Sequence, residues 1–138
     1  MIEVGDGMVL IWYPKCSTCQ KAKKFLDDHH CVYKLKDITI DTPTKEDLNK
    51  YISSSGKDIK KFFNTSGKKY REFNLKEKLL ESTEEEMINL LASDGMLIKR
   101  PILVLDDNVL VGFSEKEWSV RLLLQSAKQL RNNESAHL

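Results

Sequence analysis

Val9-Leu10-Ile11-Trp12-Tyr13 is a run of β-branched and aromatic residues closed by Pro14, and it predicts a buried strand that ends in a turn. From Ser17 to His29 the apolar residues Ala22, Phe25 and Leu26 recur at helical spacing, with Lys21, Lys23 and Lys24 on the opposite face. A helix therefore follows. Residues 32–38 alternate at period two and predict a half-exposed second strand. Strand, helix and strand in this order read as two parallel strands joined by a crossover helix. Residues 14–19 then lie at the carboxyl end of the first strand, where open α/β sheets usually hold their chemistry.

The middle third is more polar. Pro43 and Thr44 start a helix through Lys45 to Ser53, with Gly56 as its terminator, and Asp58 to Phe63 form a further short helix. Asn64-Thr65-Ser66-Gly67 is a turn cluster. Ser82 with Glu85 makes a capping box for a helix over Thr83 to Ala92, which Asp94-Gly95 ends. Ile102-Leu103-Val104-Leu105 and Val109-Leu110-Val111, on either side of Asp106-Asp107-Asn108, predict an antiparallel hairpin. Ser114 with Glu117 caps a last helix to about Leu130, and the tail from Arg131 to Leu138 is expected to fray. With no repeat and no low-complexity linker, residues 1–138 read as one domain with a short extension at 1–7.

Composition narrows the function classes. At 138 residues, 41% of them hydrophobic, the chain has the size and the apolar content for a real core. Lys plus Arg total 22 against 21 Asp plus Glu, so the net charge of +1 offers no overall field to steer a nucleic acid. No apolar run reaches the roughly 18 residues of a membrane span. The first seven residues lack the basic start and apolar stretch of a signal peptide, so a cytoplasmic protein is expected. Three cysteines are a sparse, odd set for a secreted disulfide scaffold, and two of them form Cys16-Ser17-Thr18-Cys19. In a reducing compartment that spacing points to redox chemistry or metal binding.

Cys16 falls at a helix start, where unpaired N–H groups and the positive end of the dipole favour a thiolate. A thiol with a pKa of about 8.5 is only about 3% ionised at pH 7, and Lys15 and Lys21 are expected to lower it further. Cys19, nearly one helical turn on and more buried, is placed to resolve a mixed disulfide on Cys16. Other readings are a pair of small core residues or a zinc site. The helix would carry His29, His30 and Cys31 about 15 Å from Cys19, which counts against zinc and leaves no metal expected. Cys31 reads as a buried apolar residue starting the second strand, and the two histidines as the end of the helix. A phosphatase-type anion loop needs an arginine six positions after its nucleophile; Ala22 stands there. Pro101 reads as the first residue of a strand and a candidate cis peptide. Arg100 before it can hold an oxyanion or stabilise a Cys16 thiolate, or lie on the surface as an ordinary arginine.

Four blocks in fixed order carry a family resemblance: Trp12 to Cys19 with Lys21-Ala22; Phe62 to Gly67 with Tyr70-Arg71-Glu72; Asp94 to Pro101; and Val111-Gly112-Phe113. Spread over residues 8–125, they resemble the glutaredoxin-coupled arsenate reductase (ArsC) family, which also holds the Spx-type transcriptional regulators. The resemblance implies an α/β, thioredoxin-like fold with a mixed four-stranded sheet, an inserted helical segment and a cis proline at Pro101. It implies a catalytic role for Cys16 and Arg100, and a substrate-binding role for Asn64, Pro101 and Lys15. Cys19 would complete a redox pair, as in a CxxC-bearing branch of the family. Two of the family's three oxyanion arginines are missing, with Asn64 and Gly112 in their places, so efficient arsenate reduction is not expected. The function implied is a thiol-disulfide oxidoreductase with no cofactor beyond a thiol donor such as glutathione with glutaredoxin, or thioredoxin. The alternative is a Spx-type redox-sensing regulator that binds the RNA polymerase α-subunit, for which Gly56 falls near a glycine that Spx uses. Neither implies direct contact with nucleic acid or membrane.

Overall fold

The computed structural model describes residues 8–136. β1 (Val9–Trp12) lies inside a four-stranded mixed sheet of order β2-β1-β3-β4, parallel to β2 (Lys34–Asp37) and antiparallel to β3 (Ile102–Val104), which pairs antiparallel with β4 (Val109–Val111). The crossover from β1 to β2 is α1 (Ser17–Asp28). Strand alternation divides the apolar side chains between two cores. Leu10, Leu103 and Leu110 face Ala22, Phe25 and Leu26 of α1, together with Trp118 and Leu122 of α6 (Glu115–Ala136). Ile11, Ile102, Val109 and Val111 face the helical segment between β2 and β3.

That segment contains α2 (Lys45–Ser55), a 3₁₀ turn (Ile59–Phe62), α3 (Lys68–Glu72), α4 (Leu75–Lys78), α5 (Glu84–Ser93) and a second 3₁₀ turn (Gly95–Leu97). Thr44 caps α2 through a reciprocal box with Asp47, and Gly56 ends it at φ 67°, a left-handed conformation that costs glycine nothing. Gly95 packs so closely on β2's exit that a Cβ would lie 2.3 Å from the carbonyl oxygen of Ile38. The two halves of the insertion meet in a short antiparallel contact. Phe63 bridges Ile98, Asn64 N–H donates to Leu97 O at 2.8 Å, and Lys99 N–H donates to Phe62 O at 2.7 Å. Asn64 thereby comes to line the same cavity as Arg100, whose peptide bond to Pro101 is cis.

Three expectations change. The capping box of α5 uses Thr83 and Glu86 rather than Ser82 and Glu85, because the helix begins at Glu84 with Thr83 in the extended cap conformation, while the Ser82 hydroxyl donates back to Lys78 O. β2 does not bury alternate residues: Lys34, Leu35 and Lys36 are all exposed, because the strand sits at the sheet edge, where its side chains are left largely uncovered. The pattern predicts a helix end near Leu130 and a frayed tail, yet α6 runs to Ala136. Residues 137–138 and the expected extension at 1–7 lie outside the described residues. Among the described residues no helix is long and apolar enough to cross a membrane, and no group of three His, Cys, Asp or Glu is placed to hold a metal.

Candidate active site

Pro14 ends β1, and the chain turns through Cys16 N–H donating to Tyr13 O at 3.0 Å. Cys16 is the N-cap of α1, with extended backbone (φ −91°, ψ 121°), and no side chain caps the helix in its place. The sulfur therefore meets unpaired N–H groups at the positive end of a twelve-residue helix. Partial burial pushes the Cys16 thiol up. The N–H and thiol of Cys19, the Arg100 guanidinium and the N–H of Thr18 act against this, and together they bring it below the ordinary value. Lys15 and Lys21 are exposed and are not among the groups that lower it, so Arg100 and the helix amides replace the expected lysines.

Cys19 is the opposite case. Its side chain is fully buried one turn deeper, where its sulfur accepts from Tyr13 N–H at 3.5 Å. Burial, aided by the thiol and charge of Cys16, pushes its pKa up to about 12, against the pull of the Tyr13 N–H and of Arg100. Cys31 is buried in the α1–α6 core, and burial and the charge of Asp27 raise its pKa. It takes no part in the site.

Cys16 opens into a cavity of about 820 Å³ that Asn64, Arg100 and Gly112 also line. Arg100 stacks its guanidinium over Tyr13, 5.1 Å from the ring centroid, while its Nε and Nη1 are buried without a hydrogen-bond partner among the described residues. Unsatisfied donors of a half-buried guanidinium beside a thiolate suit an anionic or strongly polar ligand atom. Asn64 is held by its own backbone and by a long contact of Nδ2 with Met96 O at 3.5 Å. Gly112 sits at φ 75°, donates to Pro101 O at 2.8 Å and accepts from the buried Trp118 indole at 3.1 Å. A Cβ there would stand 2.8 Å from Lys99 Cε, the movable end of an exposed side chain, so it is the left-handed backbone rather than space that strains an arginine at this position.

Of the residues singled out from sequence, Cys16, Asn64 and Arg100 converge on the cavity, with Cys19 behind Cys16. Pro101 is buried and does not line it, and exposed Lys15 points no part of itself into the lining. Sequence reading missed Lys57, Lys68, Lys69 and Lys99, which also line it. Three of these are paired, Lys57 with Glu117, Lys68 with Glu72 and Lys69 with Asp94. The charge density of residues 57–69 is visible in the sequence, but which lysines face Cys16 is set by the fold.

The chain matches the ArsC family over residues 11–120. YusI, an uncharacterised protein of Bacillus subtilis strain 168, is 52% identical over 112 residues, which cover 81% of this chain and 95% of that protein. The regulatory protein MgsR of the same organism is 29% identical over 124 residues, 90% of this chain and 93% of that one. A solved structure from Bacteroides fragilis, described as ArsC family related, superposes with a TM-score of 0.82 at 48% identity and covers 86% of this chain and 98% of its own. With these likenesses, the sheet order and the inserted helices define a thioredoxin-like fold of the arsenate-reductase type.

Proposed function

The chain belongs to the ArsC family, and on that premise we propose that it is a thiol-disulfide oxidoreductase in which Cys16 is the nucleophile and Cys19 the resolving thiol. The observation that supports this most is the opposed state of two thiols three residues apart. Cys16 faces a cavity with its pKa lowered, and Cys19 is fully buried with its pKa raised. The Cys16 thiolate attacks a substrate sulfur to form a mixed disulfide, and the substrate's other sulfur departs as a thiolate. Cys19 then loses its proton and attacks the Cys16 sulfur, releasing the substrate's second thiol and closing the Cys16–Cys19 disulfide. Arg100 stabilises the thiolate and the departing sulfur, and Asn64 offers a neutral donor. A thiol such as glutathione with glutaredoxin, or thioredoxin, would return the pair to the dithiol.

The test is the reduced protein with excess hydroxyethyl disulfide, followed by intact-mass and peptide mapping. One intramolecular Cys16–Cys19 linkage with Cys31 free is expected, and Cys19→Ser should stop at a mixed disulfide on Cys16. Equal modification of all three thiols would overturn the assignment. The likeness to the regulatory protein MgsR, with the resemblance to Spx-type regulators, supports a second reading, a switch whose disulfide alters a surface for the RNA polymerase α-subunit. Capture of that subunit dependent on oxidation, without turnover by any thiol donor, would favour it.

A further inference from the structure

Positive charge is concentrated in one stretch of a nearly neutral chain. Residues 57–78 contain eight Lys or Arg against three Asp or Glu, whereas the remainder carries fourteen against eighteen. Exposed Lys60, Lys61, Lys76 and Lys99 line a second cavity of about 440 Å³ whose apolar lining includes Phe63, Leu79 and Leu80. None of the four lysines forms an ion pair among the described residues, in contrast to Lys57, Lys68 and Lys69 around Cys16. The single acidic residue of this lining, Asp58, already accepts from Lys60 N–H at 2.9 Å as a helix cap. Leu80 is 71% exposed, so an apolar side chain stands open to solvent among four lysines and a single carboxylate. Phe63, Thr65 and Lys99 line both cavities, so the two adjoin.

We propose that this second cavity docks an acidic polypeptide segment bearing an apolar side chain, and so presents a neighbouring cysteine disulfide of that partner to Cys16. Charge complementarity selects the acidic partner. The lysines alone would suit a phosphate as well as a carboxylate, but the exposed apolar group among them is the aliphatic Leu80, which seats an apolar side chain rather than a stacked base and so favours a polypeptide. The delivery of a disulfide rests on the redox reading of Cys16, whereas the docking does not. The exchange balances within the two proteins: the partner disulfide is reduced to two thiols as Cys16 and Cys19 become a disulfide.

The probe is a set of three leucine-containing peptides, acidic, neutral and basic, each with one cysteine activated as its 2-thiopyridyl disulfide, so that attack by Cys16 releases 2-thiopyridone. The acidic peptide should react at least about tenfold faster than the neutral one at low ionic strength, and within about twofold of it in 0.5 M salt. The triple substitution Lys60→Glu, Lys61→Glu, Lys76→Glu touches no residue lining the Cys16 cavity. It should abolish or reverse that preference while leaving the rate with small neutral hydroxyethyl disulfide unchanged and circular dichroism native. An acidic preference that survives the triple substitution, or is absent from the wild type, overturns the proposal, as does tighter binding of single-stranded DNA than of the acidic peptide. Anisotropy of a cysteine-free acidic peptide on the Cys16→Ser protein separates the two readings. Docking without thiol chemistry in the wild type removes the redox reading and keeps the surface; reaction without charge preference removes the surface and keeps the redox reading.

Discussion

The two faces of the sheet contribute to the site by different means. On the α1 face the nucleophile is prepared first by the helix-start N–H groups, with the Cys19 thiol and Arg100 adding to them, since Cys16 sits on a helix N-terminus fixed by the turn after β1 and Cys19 is buried one turn below. On the opposite face the inserted segment contributes side chains, Asn64 and several lysines, and there the chain departs from the arginine pattern that its family resemblance implies. Backbone-derived electrostatics survive changes of side chain, whereas ligand-facing charges can be exchanged one at a time without disturbing the fold. Thiol reactivity and ligand choice should therefore vary independently in this molecule.

The largest expected effect separates the faces outright. Cys16→Ser should cut the rate with hydroxyethyl disulfide by at least about a thousandfold, because a hydroxyl at a thiol's position is scarcely ionised near neutrality. Measured in the same way, Lys68→Ala on the opposite face should change that rate by less than about threefold. If the two losses are comparable, the division between faces fails.

Next comes ligand choice. Arsenate turnover with glutathione and glutaredoxin should be feeble in the wild type. Asn64→Arg should raise it roughly ten- to a hundredfold, since a charge-assisted hydrogen bond is worth about 1.5–3 kcal/mol. The corresponding change at Gly112 should fail to help and should lower stability instead, because of its positive φ. Steady-state assays of both variants sharpen the comparison. Robust wild-type turnover that Asn64→Arg leaves unimproved would contradict it.

Gly95→Ala probes how firmly the inserted face is held. The new methyl would press on the Ile38 carbonyl, a backbone atom with little room to give, and a destabilisation of about 1–3 kcal/mol is expected. Urea unfolding checks this. The variant should slow reactions that depend on Asn64 while Cys16 alkylation stays near the wild-type rate.

The smallest effect concerns pH. Cys19 titrates at about 12 in the folded protein, above its ordinary value, and Cys31 is shifted in the same direction. As pH rises above about 8.5 the unfolded chain releases these protons while the folded one keeps them, so stability is full below that pH and declines above it. Cys16 has the opposite sign. Its lowered value favours the folded state above the ordinary thiol pKa, and that contribution is lost as pH falls through the folded value. Urea midpoints between pH 8 and 10.5 should fall less in Cys19→Ala than in the wild type, and iodoacetamide should label Cys16 at a lower pH than the other two thiols. A wild-type midpoint that rises over this range would contradict the burial of Cys19.

The strand, helix and strand opening, the hairpin, Cys16 on a helix start and the Ser114–Glu117 cap were all legible because each is written within a few consecutive residues. Ser114 does accept from Glu117 N–H, at 3.3 Å. The capping of α5 was misread by one residue because Ser82-Thr83 followed by Glu84-Glu85-Glu86 offers two boxes in adjacent registers. Only the path of the chain into the helix decides between them. β2's alternation was misleading for a related reason: period two states which residues share a face, not whether anything covers that face.

By itself the sequence determined the elements, their order, the family and the reactive turn, because backbone preferences, caps and apolar periodicity act over one or two helical turns. The tertiary structure decided what surrounds the thiolate. Phe63 bridging Ile98 brings Asn64 into the cavity that Arg100 lines, Lys99 lies across Gly112, and Lys15 is left outside, although it is next to Cys16 in the chain. A cavity is built from side chains of residues distant in sequence, and no local periodicity encodes which of many similar lysines will face it.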